Sequence, residues 1–383
     1  MPLRPDAHQV CRRLILASLW CRNFRSFPEL SWAPPQGLVV LAGPNGAGKT
    51  NLLEAVAVLG NLTSFRPGSP TSWVRHGEAG FTLKGQLQEG ETSLVLEQHA
   101  RLGRTLHRTL LRGGRQIRPA EYLSLFPVAT LSASDTDLIF SGPEHRRRLL
   151  DRLAFQLKPQ VLDLLLRYRR ALRQRNAALT QHQLASLDAF DRELARLGAQ
   201  LIELRVATLQ LLAQALEEEL SHLGWLGGKP VLRYHAPEGP AAHAGGGEQF
   251  LLLQLRRFRG QELARGHTLV GPHRHDVCIT ISGRPAREVL SAGQAKLLAT
   301  SLRLASVAVT ARRRKVAPLV IFDDVDAELD REALGRLLLR LPALSPQVVV
   351  STAHPEVVLP SCPEAAVVPM RGGTLAVDER SRW

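Results

Sequence analysis

The sequence predicts an α/β fold in which a parallel core sheet, flanked by antiparallel strands, is split by an inserted helical lobe. Three observations predict it. Gly37-Leu38-Val39-Val40-Leu41-Ala42, Pro318-Leu319-Val320-Ile321-Phe322 and Gln347-Val348-Val349-Val350-Ser351 are continuous apolar runs of the kind a parallel sheet buries on both faces. Phe81 to Arg118 alternates, with turn signals at Glu89-Gly90 and Gly113-Gly114, as antiparallel hairpins do. Pro143 to Leu223 is nearly free of glycine and periodic at helical spacing.

Taken in chain order, Leu14 to Leu19 reads as a strand, and Gly37 to Ala42 as the strand feeding a Gly-rich turn. A helix from Asn51 to Leu59 follows, closed by Gly60. In the helical region, Leu150, Leu153, Leu157, Val161, Leu164, Tyr168 and Leu172 form one stripe. A second stripe, Leu187, Phe190, Leu194, Leu197, Leu201 and Leu204, is a heptad seam. With Thr180-Gln181-His182-Gln183 as the turn, two long helices fold back as a hairpin; an ordinary helical subdomain packed on the main sheet suits the same pattern. Ala236 to Gly247 reads as a loop or hinge, Val277 to Ile281 as a strand, and Ala292 to about Ala311 as a helix. The expected domains are residues 1–142 (N-terminal part of lobe I), 143–300 (helical lobe II) and 301–383 (C-terminal part of lobe I).

Composition narrows the function. The 383 residues are 44% hydrophobic, which excludes intrinsic disorder and a fibre. Lys and Arg total 49 against 35 acids, a net charge of +14, which favours a polyanionic partner. No apolar run reaches the ~18 residues of a membrane-spanning helix. The cysteines at 11, 21, 278 and 362 have neither zinc nor disulfide spacing, which suits a reducing cytoplasm.

The chemistry sits in three places. Gly43-Pro44-Asn45-Gly46-Ala47-Gly48-Lys49-Thr50 fits G-x-x-x-x-G-K-[ST] between a buried strand and a helix, where backbone N–H groups and the helix dipole cradle phosphate. Lys49 would serve the β- and γ-phosphates of ATP, and the Thr50 hydroxyl would ligate Mg²⁺. Asp323 and Asp324 end an apolar strand, Asp323 to hold Mg²⁺ and Asp324 to orient or deprotonate the attacking water; a pair of N-capping carboxylates is the plainer alternative. Leu290-Ser291-Ala292-Gly293-Gln294 opens a helix about 30 residues before that pair, and Ala327-Glu328-Leu329-Asp330 follows it.

In that order the motifs resemble an ABC-type ATPase head, with Leu290 to Gln294 similar to the L-S-G-G-Q signature and Ala327 to Asp330 similar to the D-loop. The whole chain resembles the RecF family of ABC- and SMC-like ATPases. Leu19 to Ser26 is similar to its opening L-x-x-x-N-F-R, and Ser64-Phe65-Arg66 to the S-F-R beyond its P-loop. Arg146-Arg147-Arg148 with Asp151 after them is similar to its R-R-x-x-L-D, and Thr268 to Arg274 with Asp276 is similar to T-x-x-G-P-H-R-x-D. His275 stands where the family has an acid, Ser132 to Asp135 stands at the Q-loop, His354 is a candidate switch histidine, and residues 1–13 form an extra tail.

The resemblance implies a homodimer in which Ser291, Gly293 and Gln294 of one copy cover ATP held by the other. It also implies recombinational repair and replication restart, a nucleoid-associated cytoplasmic location, recombinase loading, and partners of the RecR and RecO kind; the lack of a spanning apolar run predicts no membrane, and Asp324, one methylene shorter than a glutamate, predicts slow hydrolysis. The arginines bear on DNA. Arg146 to Arg175 crowd a helical stretch and Arg101 to Arg118 line a hairpin, with Arg104, Arg108, Arg112, Arg146, Arg170 and Arg173 the candidates for phosphates of double-stranded, gapped or junction DNA. Two other assignments are an SMC- or Rad50-like head, which needs long coiled coils, and a transporter ATPase subunit, which needs a membrane partner. His273, His275 and Asp276 lack a further ligand at metal spacing, so a phosphate-contacting or structural role is expected of them.

Overall fold

The computed structural model describes residues 12–239, 247–327 and 329–375. The tail at 1–11, part of the 236–247 loop and Glu328 of the D-loop-like segment lie outside the described residues. The strands are β1 (Leu14–Phe24), β2 (Phe27–Trp32), β3 (Gly37–Ala42), β4 (Gly80–Glu89), β5 (Thr92–Leu102), β6 (Leu106–Arg112), β7 (Arg115–Gln116), β8 (Val128–Leu131), β9 (Pro230–His235), β10 (Asp276–Ile281), β11 (Arg284–Pro285), β12 (Leu319–Phe322), β13 (Gln347–Thr352), β14 (Ala366–Arg371) and β15 (Thr374–Leu375). The helices are α1 (Lys49–Asn61), α2 (Pro119–Leu125), α3 (Asp137–Phe140), α4 (Pro143–Leu157), α5 (Val161–Thr180), α6 (Leu184–His222), α7 (Gly247–Arg265), α8 (Ala286–Val289), α9 (Ala292–Arg314), α10 (Arg331–Leu344) and α11 (Pro355–Val358).

The chain divides into two compact units, one from Met1–Asp135, Leu216–Trp225 and Ala292–Trp383, the other from Thr136–Ala215 and Leu226–Ser291. In the first, β3, β12, β13, β8 and β14 pair in parallel in the order β14-β3-β13-β12-β8, with β15 antiparallel at the edge. Strand alternation splits this sheet's side chains between two cores. Val39, Leu41, Ile321 and Val349 pack with α1 and the antiparallel sheet β2-β1-β4-β5-β6-β7. Val40, Ala42, Val320, Phe322, Val348 and Val350 pack with α9 and α10. Gln347, fully buried, ties the two sheets together: its Oε1 accepts from Leu16 N–H (2.8 Å) and its Nε2 donates to the Leu16 carbonyl (3.1 Å).

The expected end of the first helix differs from the observed one. Gly60 lies inside α1, where a Cβ would stand 2.3 Å from Val128 Cγ2; the cap is Leu62, at φ 55°, whose N–H donates to Val58 O. Gly60 is there for close helix–strand approach, and the chain leaves the helix two residues later.

The second unit is helical around the three-stranded sheet β9-β10-β11. The first apolar stripe is not one helix: Lys158-Pro159-Gln160 separates α4 from α5, because proline cannot continue the hydrogen-bond ladder. The turn at Gln181 and His182 then joins α5 to α6, and the seam residues Leu194, Leu197 and Leu201 are buried against Val161, Leu165, Tyr168 and Ala171. Arg175 lies at the centre, wholly buried with Asp191 and Glu262, to which it donates from Nε and Nη2, both at 2.7 Å.

Candidate nucleotide and nucleic-acid site

The P-loop connects β3 to α1 at the carboxyl edge of the parallel sheet, where open α/β sheets present their ligand sites. Gly46 (φ 79°) and Gly48 (φ 105°) hold left-handed conformations that only glycine adopts without strain. At Gly43 a Cβ would stand 2.2 Å from the Met370 carbonyl, so β14 fixes that glycine by contact. Lys49 is buried, and its ammonium donates to the carbonyls of Gly43 (2.7 Å) and Pro44 (3.1 Å), which keeps the cation within the loop. Pro44, Asn45 and Ala47 complete the turn, closed by Ala47 N–H to Pro44 O (3.1 Å).

The acidic pair meets this loop from β12. Asp323 Oδ1 accepts from Thr50 Oγ1 (3.1 Å) and from Ser351 Oγ (2.8 Å), and the Ser351 hydroxyl accepts from Asp324 N–H (2.8 Å). Burial, then the neighbouring Asp324, pushes the Asp323 carboxyl up; the two hydroxyl donors pull it down. Two hard oxygens 3.1 Å apart, one of them a carboxylate, are the donor set Mg²⁺ takes with water and phosphate, so Thr50 and Asp323 fit that ion. Asp324 holds φ 53°, outside the ordinary range for a non-glycine residue. The N-cap of α10 is Asp330, whose side chain accepts from Ala333 N–H (2.8 Å), so Asp323 and Asp324 do not cap that helix.

Two features beside the loop escaped the sequence reading. Ser351, a polar residue at the end of a buried parallel strand beside the acidic one, was a readable signal. The other is a charge cluster on α1: Glu54, wholly buried, takes both Nε (2.8 Å) and Nη2 (2.6 Å) of Arg25, with Arg66 Nη1 at 3.7 Å. Arg25 and Arg66 are the arginines of the N-F-R and S-F-R stretches, which were their only sequence signal.

The signature-like residues fall at the head of α9: Ser291 ends the helical unit, and Gly293 and Gln294 open the first turn, all exposed. In the Q-loop-like segment, Asp135 accepts from Ser132 N–H (3.0 Å) and pairs with Arg303 (2.7 Å), leaving Ala133 and Ser134 exposed. His354 is exposed and lies 3.3 Å from Glu356.

The arginine candidates separate. Arg146 is engaged inside the helical unit, forked onto Asp276 (2.8 and 2.9 Å) and donating to the carbonyls of Leu138 and Ser141. Arg108 donates to the Leu62 carbonyl (2.6 Å) and lies over the Trp73 ring (5.5 Å), and burial lowers its pKa. The Arg146 guanidinium is taken up by these partners, and that of Arg108 is half-buried with Nη1 turned inward. Arg104, Arg170 and Arg173 are exposed, and Arg112 is exposed with Glu121 at 3.8 Å. His273, His275 and Asp276 turn to separate partners, namely Tyr168, Glu238 with Tyr234, and Arg146. No helix among the described residues is long and apolar enough to cross a membrane.

Residues 15–373 match the family described as the RecF/RecN/SMC N terminal domain. The chain is 34% identical to the DNA replication and repair protein RecF of Streptomyces avermitilis, over 86% of this chain and 91% of that one. It is 30% identical to the RecF of Myxococcus xanthus, over 94% and 97%. Two solved structures of the recombination mediator protein RecF in the RecFOR pathway, RecF-ATPrS and RecF-ATP, superpose with a TM-score of 0.86 at 24% and 23% identity, covering 96% and 97% of this chain and 99% of theirs. An SMC head bound to the C-winged helix domain of ScpA gives 0.53 at 14% identity, covering 94% and 95%.

Proposed function

Because the chain belongs to the RecF family of the RecF/RecN/SMC N-terminal domain proteins, we propose that it is a cytoplasmic DNA replication and repair ATPase that closes on DNA as an ATP-bound dimer. The observation that carries this reading is the Thr50–Asp323–Ser351 hydrogen-bonded chain, which joins the P-loop to the acidic strand end. The backbone N–H groups of residues 43–50 and the Lys49 ammonium bind the phosphates of ATP, and Thr50 and Asp323 would hold Mg²⁺, whose positive charge would be its contribution there. Asp324, one methylene shorter than a glutamate, orients the attacking water and gives slow turnover, suited to a timed clamp.

Ser291, Gly293 and Gln294, exposed at a helix N-terminus, are arranged to meet the nucleotide of a second copy. DNA is held by phosphate contacts from exposed arginines, of which Arg104, Arg112, Arg170 and Arg173 remain after Arg108 and Arg146 are set aside. By kinship with proteins named for the RecFOR pathway, partners of the RecR and RecO kind follow. Sedimentation with and without ATP tests the dimer: Ser291→Arg should stay monomeric while binding ATP, and Lys49→Met should lose nucleotide binding or turnover. ATP-driven dimers of Ser291→Arg equal to wild type would refute the composite site. DNA affinity unchanged by ATP would refute the clamp.

A further inference from the structure

The stretch Thr268 to Asp276 is not absorbed by the nucleotide site, and its side chains are engaged inside the helical unit with one exception. Thr268 donates to Asn176 Oδ1 (2.6 Å) and accepts from Arg175 (2.9 Å). Gly271, at φ 122°, takes its N–H to Glu238 (3.1 Å), and a Cβ there would stand 2.9 Å from the Tyr168 hydroxyl. The Pro272 carbonyl accepts from Arg205 (2.6 Å), His273 meets Tyr168 (2.8 Å), His275 meets Glu238 (2.6 Å), and Asp276 meets Arg146. Arg274 N–H closes the turn onto Gly271 O (2.8 Å), with proline at the position that presets such a turn. The Arg274 side chain is exposed and makes no hydrogen bond or ion pair among the described residues.

A turn over-determined by this many buried polar bonds fixes the backbone and the Cα–Cβ direction of its one outward residue, so the side chain leaves the protein from a set point. Charge and fork geometry make that group complementary to a phosphate oxyanion. We propose that Arg274 is a phosphate-contacting residue, presented by the Thr268–Asp276 turn to either the DNA backbone or the phosphates of a bound nucleotide. The proposal rests on the functional reading above for these two sources of phosphate.

The test uses the full chain as wild type, Arg274→Gln, Arg274→Lys and, as a control for surface charge, Arg284→Gln, which removes another exposed arginine of the same unit. One arm follows binding of a labelled gapped duplex by anisotropy across a salt series; the other follows a fluorescent ATP analogue without DNA. The expected result is a roughly tenfold loss for Arg274→Gln in one arm, partly restored by Arg274→Lys and absent in Arg284→Gln. If the source is DNA, the nucleotide arm is unchanged and the salt slope falls by about one. If the source is nucleotide, the loss is present without DNA. Arg274→Gln matching wild type in both arms, or Arg284→Gln losing as much, overturns the proposal alone. Wild type binding neither ligand overturns the functional reading, and Arg274 with it.

Discussion

Replacing Arg175 with methionine tests what holds the helical unit together. Arg175, Asp191 and Glu262 have fully buried side chains, and the cation bridges α5, α6 and α7 with three donated bonds of 2.7, 2.7 and 2.9 Å. With charge centres ~4 Å apart and an effective dielectric constant of about 20, each ion pair is worth roughly 4 kcal/mol before desolvation. Among the described residues, removing Arg175 leaves Asp191 with Arg259 (2.6 Å) and Glu262 with the Leu269 N–H (2.7 Å). Stranding a buried charge in this way costs about 3–5 kcal/mol. The tryptophans at 20, 32, 73, 225 and 383 all lie outside Thr136–Ala215 and Leu226–Ser291, whereas far-UV dichroism reads α4, α5 and α7. Urea unfolding followed by dichroism should therefore show the loss. The triple variant Arg175→Met, Asp191→Leu, Glu262→Leu should regain most of it, since apolar residues of similar size replace a buried ion cluster at little cost. A loss under about 1 kcal/mol in the single variant, or a triple variant no more stable than the single, would refute this reasoning.

Two further outcomes follow from local geometry. Gly60→Ala should destabilise: helix propensity favours alanine by ~1 kcal/mol, but a Cβ 2.3 Å from Val128 Cγ2 forces a shift of about 1–3 kcal/mol, so the thermal midpoint falls and Val128→Ala partly restores it. His273 has its pKa lowered to about 4, chiefly by burial, with Arg274 and His275 acting the same way and the Thr268 carbonyl and Glu238 opposing. The unfolded chain therefore binds the extra proton first: the stabilisation from neutral His273, at most about 3 kcal/mol, is complete above pH ~6.5 and is lost as pH falls towards 4. His273→Gln should flatten that part of the stability–pH curve, and a slope unchanged in the variant would assign it to other groups.

The legible parts of this protein are those whose chemistry needs adjacent residues. A phosphate cradle needs its glycines, lysine and threonine in one turn, so Gly43 to Thr50 is readable as written. Asp323 stands out because a charge ends an apolar run. The parallel strands Gly37–Ala42, Leu319–Phe322 and Gln347–Thr352 were readable for the same reason, but Val128–Leu131 is too short to show a period, and Pro369 disguises Ala366–Arg371. Illegible were the features that depend on distant partners. Arg146 and Asp276 are 130 positions apart, and nothing near Arg146 marks it as engaged. The break at Pro159 was visible, yet the stripe on either side continued in phase and outweighed it.

The same distinction changes the meaning of the +14 charge. An arginine forked onto a carboxylate adds no net field and releases no counterion when DNA arrives. Along α5, helical phase decides which arginines are free: Arg175 shares the inward face with Tyr168 and Ala171, whereas Arg169, Arg170 and Arg173 share the outward one. The five arginines of this helix are thus divided by a period of 3.6 into a structural member and four exposed ones, of which Arg167 pairs with Glu193. The net positive charge available to a polyanion must reside in such unpaired outward positions. A field from such positions would act at long range on any polyanion, while the buried pairs set where the helices that carry it stand.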